Sequence, residues 1–97
     1  MATKPAKGLS LHSALNAVDP AHYQGWDGAL NACEADATDM EAIAKSRSFA
    51  TDTLLTAAAT RQKVKDMVGA AAQELAAGDI YLLSYSGHGG QVPDLND

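Results

Sequence analysis

The segment Ile80-Tyr81-Leu82-Leu83-Ser84-Tyr85 constrains the fold of this chain more than any other stretch. It is nearly continuous in apolar side chains, where a strand with one wet face would alternate. Such a run reads as a strand covered on both faces, the habit of parallel sheets with helices on either side. Parallel neighbours need long crossovers, so the preceding residues should supply helices. Thr60 is placed to cap a helix reaching Ala77. In it Val64, Met67, Val68, Ala71, Ala72 and Leu75 keep the i, i+3, i+4, i+7 spacing of one buried face. Gly78 then stands in the favoured position just past a helix end. An earlier helix is expected from Ala32 to Ser46. Asn31 is its cap, Glu34 follows as in a capping box, and Met40, Ile43 and Ala44 form its apolar stripe. Two further strands are expected: Gly8 to Val18, with Leu9, Leu11 and Leu15 on one face and Ser13 interrupting them, and Phe49 to Thr56. The expected fold is therefore α/β, a β-α-β-α-β three-layer sandwich on a parallel sheet.

The chain has 97 residues, room for one domain or part of one, and shows no repeat, linker or internal boundary. Residues 1–7 read as a disordered lead-in and 8–97 as a single unit. A chain this short buries only about 60–65% of its unfolded surface, so an open side is a liability. Net charge is -5 and the seven Lys and Arg are dispersed, which argues against a nucleic-acid partner. No apolar run approaches the roughly 20 residues that span a membrane. Lys4 and Lys7 precede a stretch broken by Ser10, His12, Ser13 and Asn16, so a signal peptide is not expected. A single cysteine excludes an internal disulfide and fits a cytoplasmic location.

In parallel α/β sheets ligands bind beyond the carboxyl ends of the strands. Directly after the apolar strand comes Ser86-Gly87-His88-Gly89-Gly90-Gln91. Glycines around a histidine leave bare backbone that a substrate can approach closely. An imidazole can accept and return a proton near neutral pH. The plainer alternative is a glycine-rich turn with an incidental histidine, since short glycine motifs match by chance. The same rim should receive the loop Asp19 to Leu30, with Pro20, Gly25, Gly28, His22, Tyr23 and Trp26. Loops of that length are often functional, although exposed loop residues are the default. His12 reads as a satisfied strand histidine, and Arg61, Lys63 and Lys65 as a solvated basic face. Asp94 and Asp97 alone cannot supply the six to eight oxygens, roughly, that calcium takes. Three scattered histidines and one cysteine lack zinc-site spacing.

The helix before Gly78-Asp79, the apolar strand and Tyr85-Ser86-Gly87-His88-Gly89-Gly90-Gln91 together resemble the caspase/metacaspase superfamily, peptidase family C14. The Asn16 region, Cys33-Glu34-Ala35-Asp36-Ala37 and Leu54-Leu55-Thr56 match in the same order, so the likeness spans about residues 8 to 95. It is a likeness to the N-terminal half of that domain, of bacterial metacaspase type, incomplete after the third strand. Two positions depart from the family pattern: Ser13-Ala14 replaces a large aliphatic and glycine, and Ser48 stands where glycine commonly closes the first helix. The resemblance implies a cysteine endopeptidase in which His88 is the general base and the Gly89 N–H helps hold the oxyanion. The nucleophilic cysteine would lie on a following strand, in a D-x-C context, so the C-terminal half of the same domain and a peptide or protein substrate are the implied partners. No cofactor is implied, apart from calcium in the complete domain of some metacaspases.

Cys33 could in principle act as a surrogate nucleophile, because the first turn of a helix lowers a thiol's pKa. The resemblance instead makes it a wall of the substrate pocket, and a buried inert cysteine is the common fate of this residue type. Asp36 shares a helical face with Cys33. By resemblance, Asp36, Cys33 and Ser86 line a pocket for Arg or Lys; an acid favoured by the helix dipole is the alternative for Asp36. A truncated or pseudo-peptidase remnant that only binds is the competing function. An α/β-hydrolase piece would need a G-x-S-x-G elbow, which does not occur.

Overall fold

A computed structural model describes residues 6–17, 21, 25 and 29–89. Strands β1 (Gly8–Ala14), β2 (Ala50–Leu55) and β3 (Ile80–Ser86) alternate with helices α1 (Cys33–Ser46) and α2 (Arg61–Glu74), and a 3₁₀ turn covers Thr56–Ala58. The sheet is parallel in the order β2-β1-β3, with Leu11 opposite both Asp52 and Leu83. The α/β class and the alternating order expected from the sequence are those of the structure. Residues 1–5, most of the loop after β1 with His22, Tyr23 and Trp26, and Gly90, Gln91, Asp94 and Asp97 lie outside the described residues.

The strand buried on both faces is β1, not β3. Every residue from Ser10 to Ala14 is buried, whereas Ile80, Leu83 and Tyr85 are 57%, 51% and 56% exposed. Among the described residues β3 has a neighbour on one side only. The polar letters Ser10, His12 and Ser13 disguise the burial of β1 in the sequence. His12 is fully buried, and each ring nitrogen is engaged by a serine hydroxyl: Nε2 by Ser10 at 2.8 Å and Nδ1 by Ser84 at 2.7 Å. A neutral imidazole carries one donor and one acceptor, so two hydroxyls satisfy it and burial becomes tolerable. Removal from water lowers its pKa from the ordinary value, with Glu41 opposing more weakly.

The two sheet faces carry separate cores. Leu11, Leu54 and Ala59 pack with Leu15, Val64, Met67 and Tyr81 on the α2 side. Ala14, Cys33 and Ala37 pack with Leu30 and Leu55 on the α1 side. Alternation along β1 thus sends Leu9, Leu11 and Ser13 one way and Ser10, His12 and Ala14 the other. This gives three layers.

Helix α1 buries Cys33, Ala37 and Ala44, small residues that let it lie close to the sheet. Ile43, expected in that stripe, is 56% exposed, because it sits about 100° around the helix from Ala44. Glu41 lies on the inward side instead, accepting from the Thr53 hydroxyl and paired with Lys45 at 2.7 Å. Lys45 first, then Thr53, hold its carboxyl below the usual range. The expected capping box at Asn31 does not form: Ala32 is the N-cap and gives no side-chain bond. The cap arrives from across the fold, where Asn16 Oδ1 accepts the Glu34 N–H at 3.2 Å. At the far end the Phe49 N–H reaches the Ala44 carbonyl at 3.1 Å and the Ser48 N–H that of Lys45 at 3.0 Å. This Schellman closure puts Ser48 at φ +65°, a left-handed position that favours glycine.

Thr60 caps α2 as expected, its hydroxyl accepting the Lys63 N–H at 3.1 Å. The helix stops at Glu74 rather than Ala77, with Leu75 already extended, and the expected stripe residues Val68 and Ala72 face outward. Gly78, at φ +92°, serves the turn into β3. Asp79 clamps that turn, accepting the N–H groups of Ala76 at 2.8 Å and Lys7 at 3.0 Å, which lower its pKa in that order. The Ile80 N–H in turn meets the Lys7 carbonyl at 3.0 Å, so Lys7 is tied to the sheet.

Candidate active site

The carboxyl ends of the strands converge through a few side chains. Just past β1, Asn16 gives its N–H to Thr56 Oγ1 at 3.0 Å and receives the Leu30 N–H on its carbonyl at 2.5 Å. The Thr56 hydroxyl donates to Glu34 Oε2 at 2.5 Å. One asparagine and one threonine therefore join the ends of β1 and β2 to the first turn of α1. Thr56 does so at φ +40°, a region a β-branched residue seldom enters, at a cost of about 1–3 kcal/mol. The end of β3 is fixed to the same rim by the Leu15 N–H, which donates to the Ser86 carbonyl at 3.0 Å.

Asp36 and Ser86 meet across α1 and β3, the Ser86 hydroxyl donating to Asp36 Oδ2 at 2.8 Å. They border a shallow groove of about 230 Å³ that Ala37, Met40, Ser84 and Tyr85 complete. Asp36 is exposed, so its carboxylate keeps acceptor capacity for a further donor. Cys33 lies one turn earlier on α1, buried among Ala14, Ala37, Leu30 and Leu55, and is not among the groove's lining residues. From there its thiol could attack a substrate only if that core opened.

His88 follows β3 by two residues and is half-buried. Its carbonyl accepts the Tyr85 hydroxyl at 2.6 Å. Gly87 lies between: a Cβ there would stand 2.6 Å from the Tyr85 hydroxyl oxygen and 3.0 Å from Cζ. A Cβ on Gly89 would meet nothing within 4 Å among the described residues. His88 and the Asp36–Ser86 pair thus share the β3 terminus, two residues apart in sequence at Ser86 and His88. Among the described residues no three His, Cys, Asp or Glu side chains gather as a metal site requires. No helix among them is long and apolar enough to cross a membrane.

The caspase domain (Peptidase C14) matches residues 14–97. The chain belongs to the caspase domain family. A crystal structure of a Geobacter sulfurreducens protein resembles this caspase domain with a TM-score of 0.88 and 65% sequence identity over 94% of the chain. The chain spans 34% of that protein's length. No curated protein matches it. Within the caspase domain the sequence pointed to His88, Gly89, Asp36 and Ser86, and the fold brings all four to the β3 end of the rim. It did not point to Thr56 or to the Tyr85–Gly87 pairing. An aromatic hydroxyl three residues before a glycine-flanked histidine was the available signal for the latter; nothing in Leu54-Leu55-Thr56 announces a left-handed threonine.

Proposed function

We propose that this chain is the base-supplying half of a metacaspase-type cysteine endopeptidase that cuts after Arg or Lys. The observation that carries the specificity is the 2.8 Å bond between Ser86 and Asp36, which holds a carboxylate at the strand end that also bears the His88 loop. In the complete domain a cysteine on the strand after β3 is the nucleophile. His88 takes the thiol proton as sulfur attacks the scissile carbonyl carbon, then passes it to the leaving amine. Water next attacks the thioester carbon, His88 accepts its proton, and the thiol is restored as the acid product leaves. The Gly89 N–H, with the N–H of that cysteine, holds the oxyanion in both steps, a contribution of roughly 3–4 kcal/mol. The scheme uses no cofactor, and a reducing cytoplasm would keep the thiol available.

Family membership supports the peptidase reading, and charge supports the choice of substrate. A pocket that receives an acidic side chain needs a cation, yet no Lys or Arg occurs from Asp19 through Ala44. Asp36 offers the opposite sign and would hold an ammonium or guanidinium by charge-assisted hydrogen bonds. It would repel an aspartate in the same place, so discrimination works both ways. The test compares kcat/KM of the complete domain on matched peptides ending in Arg, Lys and Asp, with and without Asp36→Ala. The Arg and Lys peptides should lead by a factor of about 10² or more, and Asp36→Ala should remove most of that lead. A preference for Asp, or an Arg preference untouched by Asp36→Ala, rules the assignment out.

A further inference from the structure

We infer that Tyr85 is a positioning residue whose hydroxyl fixes the His88–Gly89 peptide, and with it the direction of the Gly89 N–H. The inference deepens the function proposed above and rests on it. Glycines on both sides of His88 leave the Gly87-His88-Gly89 backbone free to choose among conformations, so its direction depends on contacts. Two of them bear on the backbone. At the strand end, the Leu15 N–H holds the Ser86 carbonyl at 3.0 Å. Two residues on, the Tyr85 hydroxyl holds the His88 carbonyl at 2.6 Å.

The second contact matters for chemistry because of peptide geometry. The His88–Gly89 bond is trans, and in a planar trans peptide the C=O and the following N–H point in opposite directions. Anchoring the His88 oxygen on Tyr85 therefore aims the Gly89 N–H away from the Tyr85 hydroxyl. A flip of this one peptide would turn the N–H inward and present a carbonyl oxygen where an oxyanion must be received. A pre-aimed donor avoids that reorganisation during the reaction. Gly87 is what permits the latch, since any Cβ there would collide with the tyrosine hydroxyl oxygen at 2.6 Å. Tyr85 lines both the groove beside Asp36 and Ser86 and the hollow with Val64, Lys65 and Leu83 on the α2 side of the sheet. Its hydroxyl acts on the loop backbone, at the His88 carbonyl.

Tyr85→Phe, Gly87→Ala and the double variant of the complete domain, assayed on an Arg-ending peptide, test the latch. Tyr85→Phe should melt like the parent, because the ring is retained. It should lower kcat by roughly 10- to 100-fold with KM nearly unchanged, as misplacement of a reacting group does. Gly87→Ala should do the same by displacing the hydroxyl, and the double variant should lose no more than the worse single, since both break one bond. In protein labelled with ¹³C at the His88 carbonyl, the signal should move on Tyr85→Phe as the hydrogen bond is lost. Unchanged kcat in Tyr85→Phe, or singles whose losses multiply in the double, would overturn the inference. If Tyr85→Phe fails to fold, full kcat in Gly87→Ala overturns it instead. His88→Ala, run alongside, reports separately on the catalytic reading: turnover surviving there removes that reading, and the latch with it.

Discussion

At the scale of single residues, the fully buried His12 makes the fold sensitive to mild acid. Folding takes its imidazole out of water between Ser10 and Ser84, so the folded state disfavours the charged form and its pKa is lowered. The unfolded chain takes up its proton near pH 6.5. Below that pH the unfolded state binds more protons than the folded one, so stability falls as pH falls; well above it the histidine adds no pH dependence. Glu41, itself held ionised by Lys45 and Thr53, works against this but is the lesser influence on His12. The thermal midpoint should therefore decline from about pH 7 to pH 5.5, before carboxylates titrate, and His12→Asn should flatten that decline. An equal decline in both proteins would show that His12 is not its source. Residues with a chemical signature stood out in the sequence as candidates, His88 between glycines and Asp36 and Ser86 in family context, and the fold places them at one strand end. Thr56 did not, because its role depends on a backbone conformation that its residue type disfavours.

At the scale of elements, the end of α1 stores avoidable strain. Ser48 occupies a left-handed position at φ +65°, which costs an L-residue about 1–2 kcal/mol. Ser48→Gly should raise stability by about 1 kcal/mol, less than the full strain because glycine gives the unfolded chain more freedom. A urea titration checks this through the midpoint at constant slope, and a lower midpoint would mean that the serine side chain compensates locally. The sequence marked Ser48 as a departure from the usual glycine, so this site was legible. Helix existence and order were legible too, because apolar spacing and the Thr60 cap are local signals. Which strand is buried on both faces was not. Apolar content pointed to Ile80–Tyr85, yet the sheet order puts β1 in the middle, its buried polar groups satisfied by partners such as Ser84, 72 residues away from His12. Likewise α1 takes its cap from Asn16 rather than Asn31, a contact between residues 18 positions apart that no local pattern reveals.

At the scale of the whole molecule, the topology collects the ends of all three strands on one rim and mounts the proposed base there. The order β2-β1-β3 brings α1, with Asp36, beside the end of β3, with Ser86 and His88. Caspase-domain membership covers residues 14–97, and the Geobacter sulfurreducens structure, matched over a third of its own length, carries the same fold with a TM-score of 0.88. The proposed chemistry then depends on a nucleophile contributed by the rest of such a domain, with His88 as the one group that moves its proton. The direct measurement is kcat of the complete domain and of its His88→Ala variant on the same Arg-ending peptide, with circular dichroism and thermal melting on both. A base and its nucleophile act as a unit, so kcat should fall by at least about 10³-fold while secondary structure and melting stay unchanged. Turnover that survives the substitution, or that is lost only because the variant no longer folds, would contradict the assignment of His88 as the catalytic base.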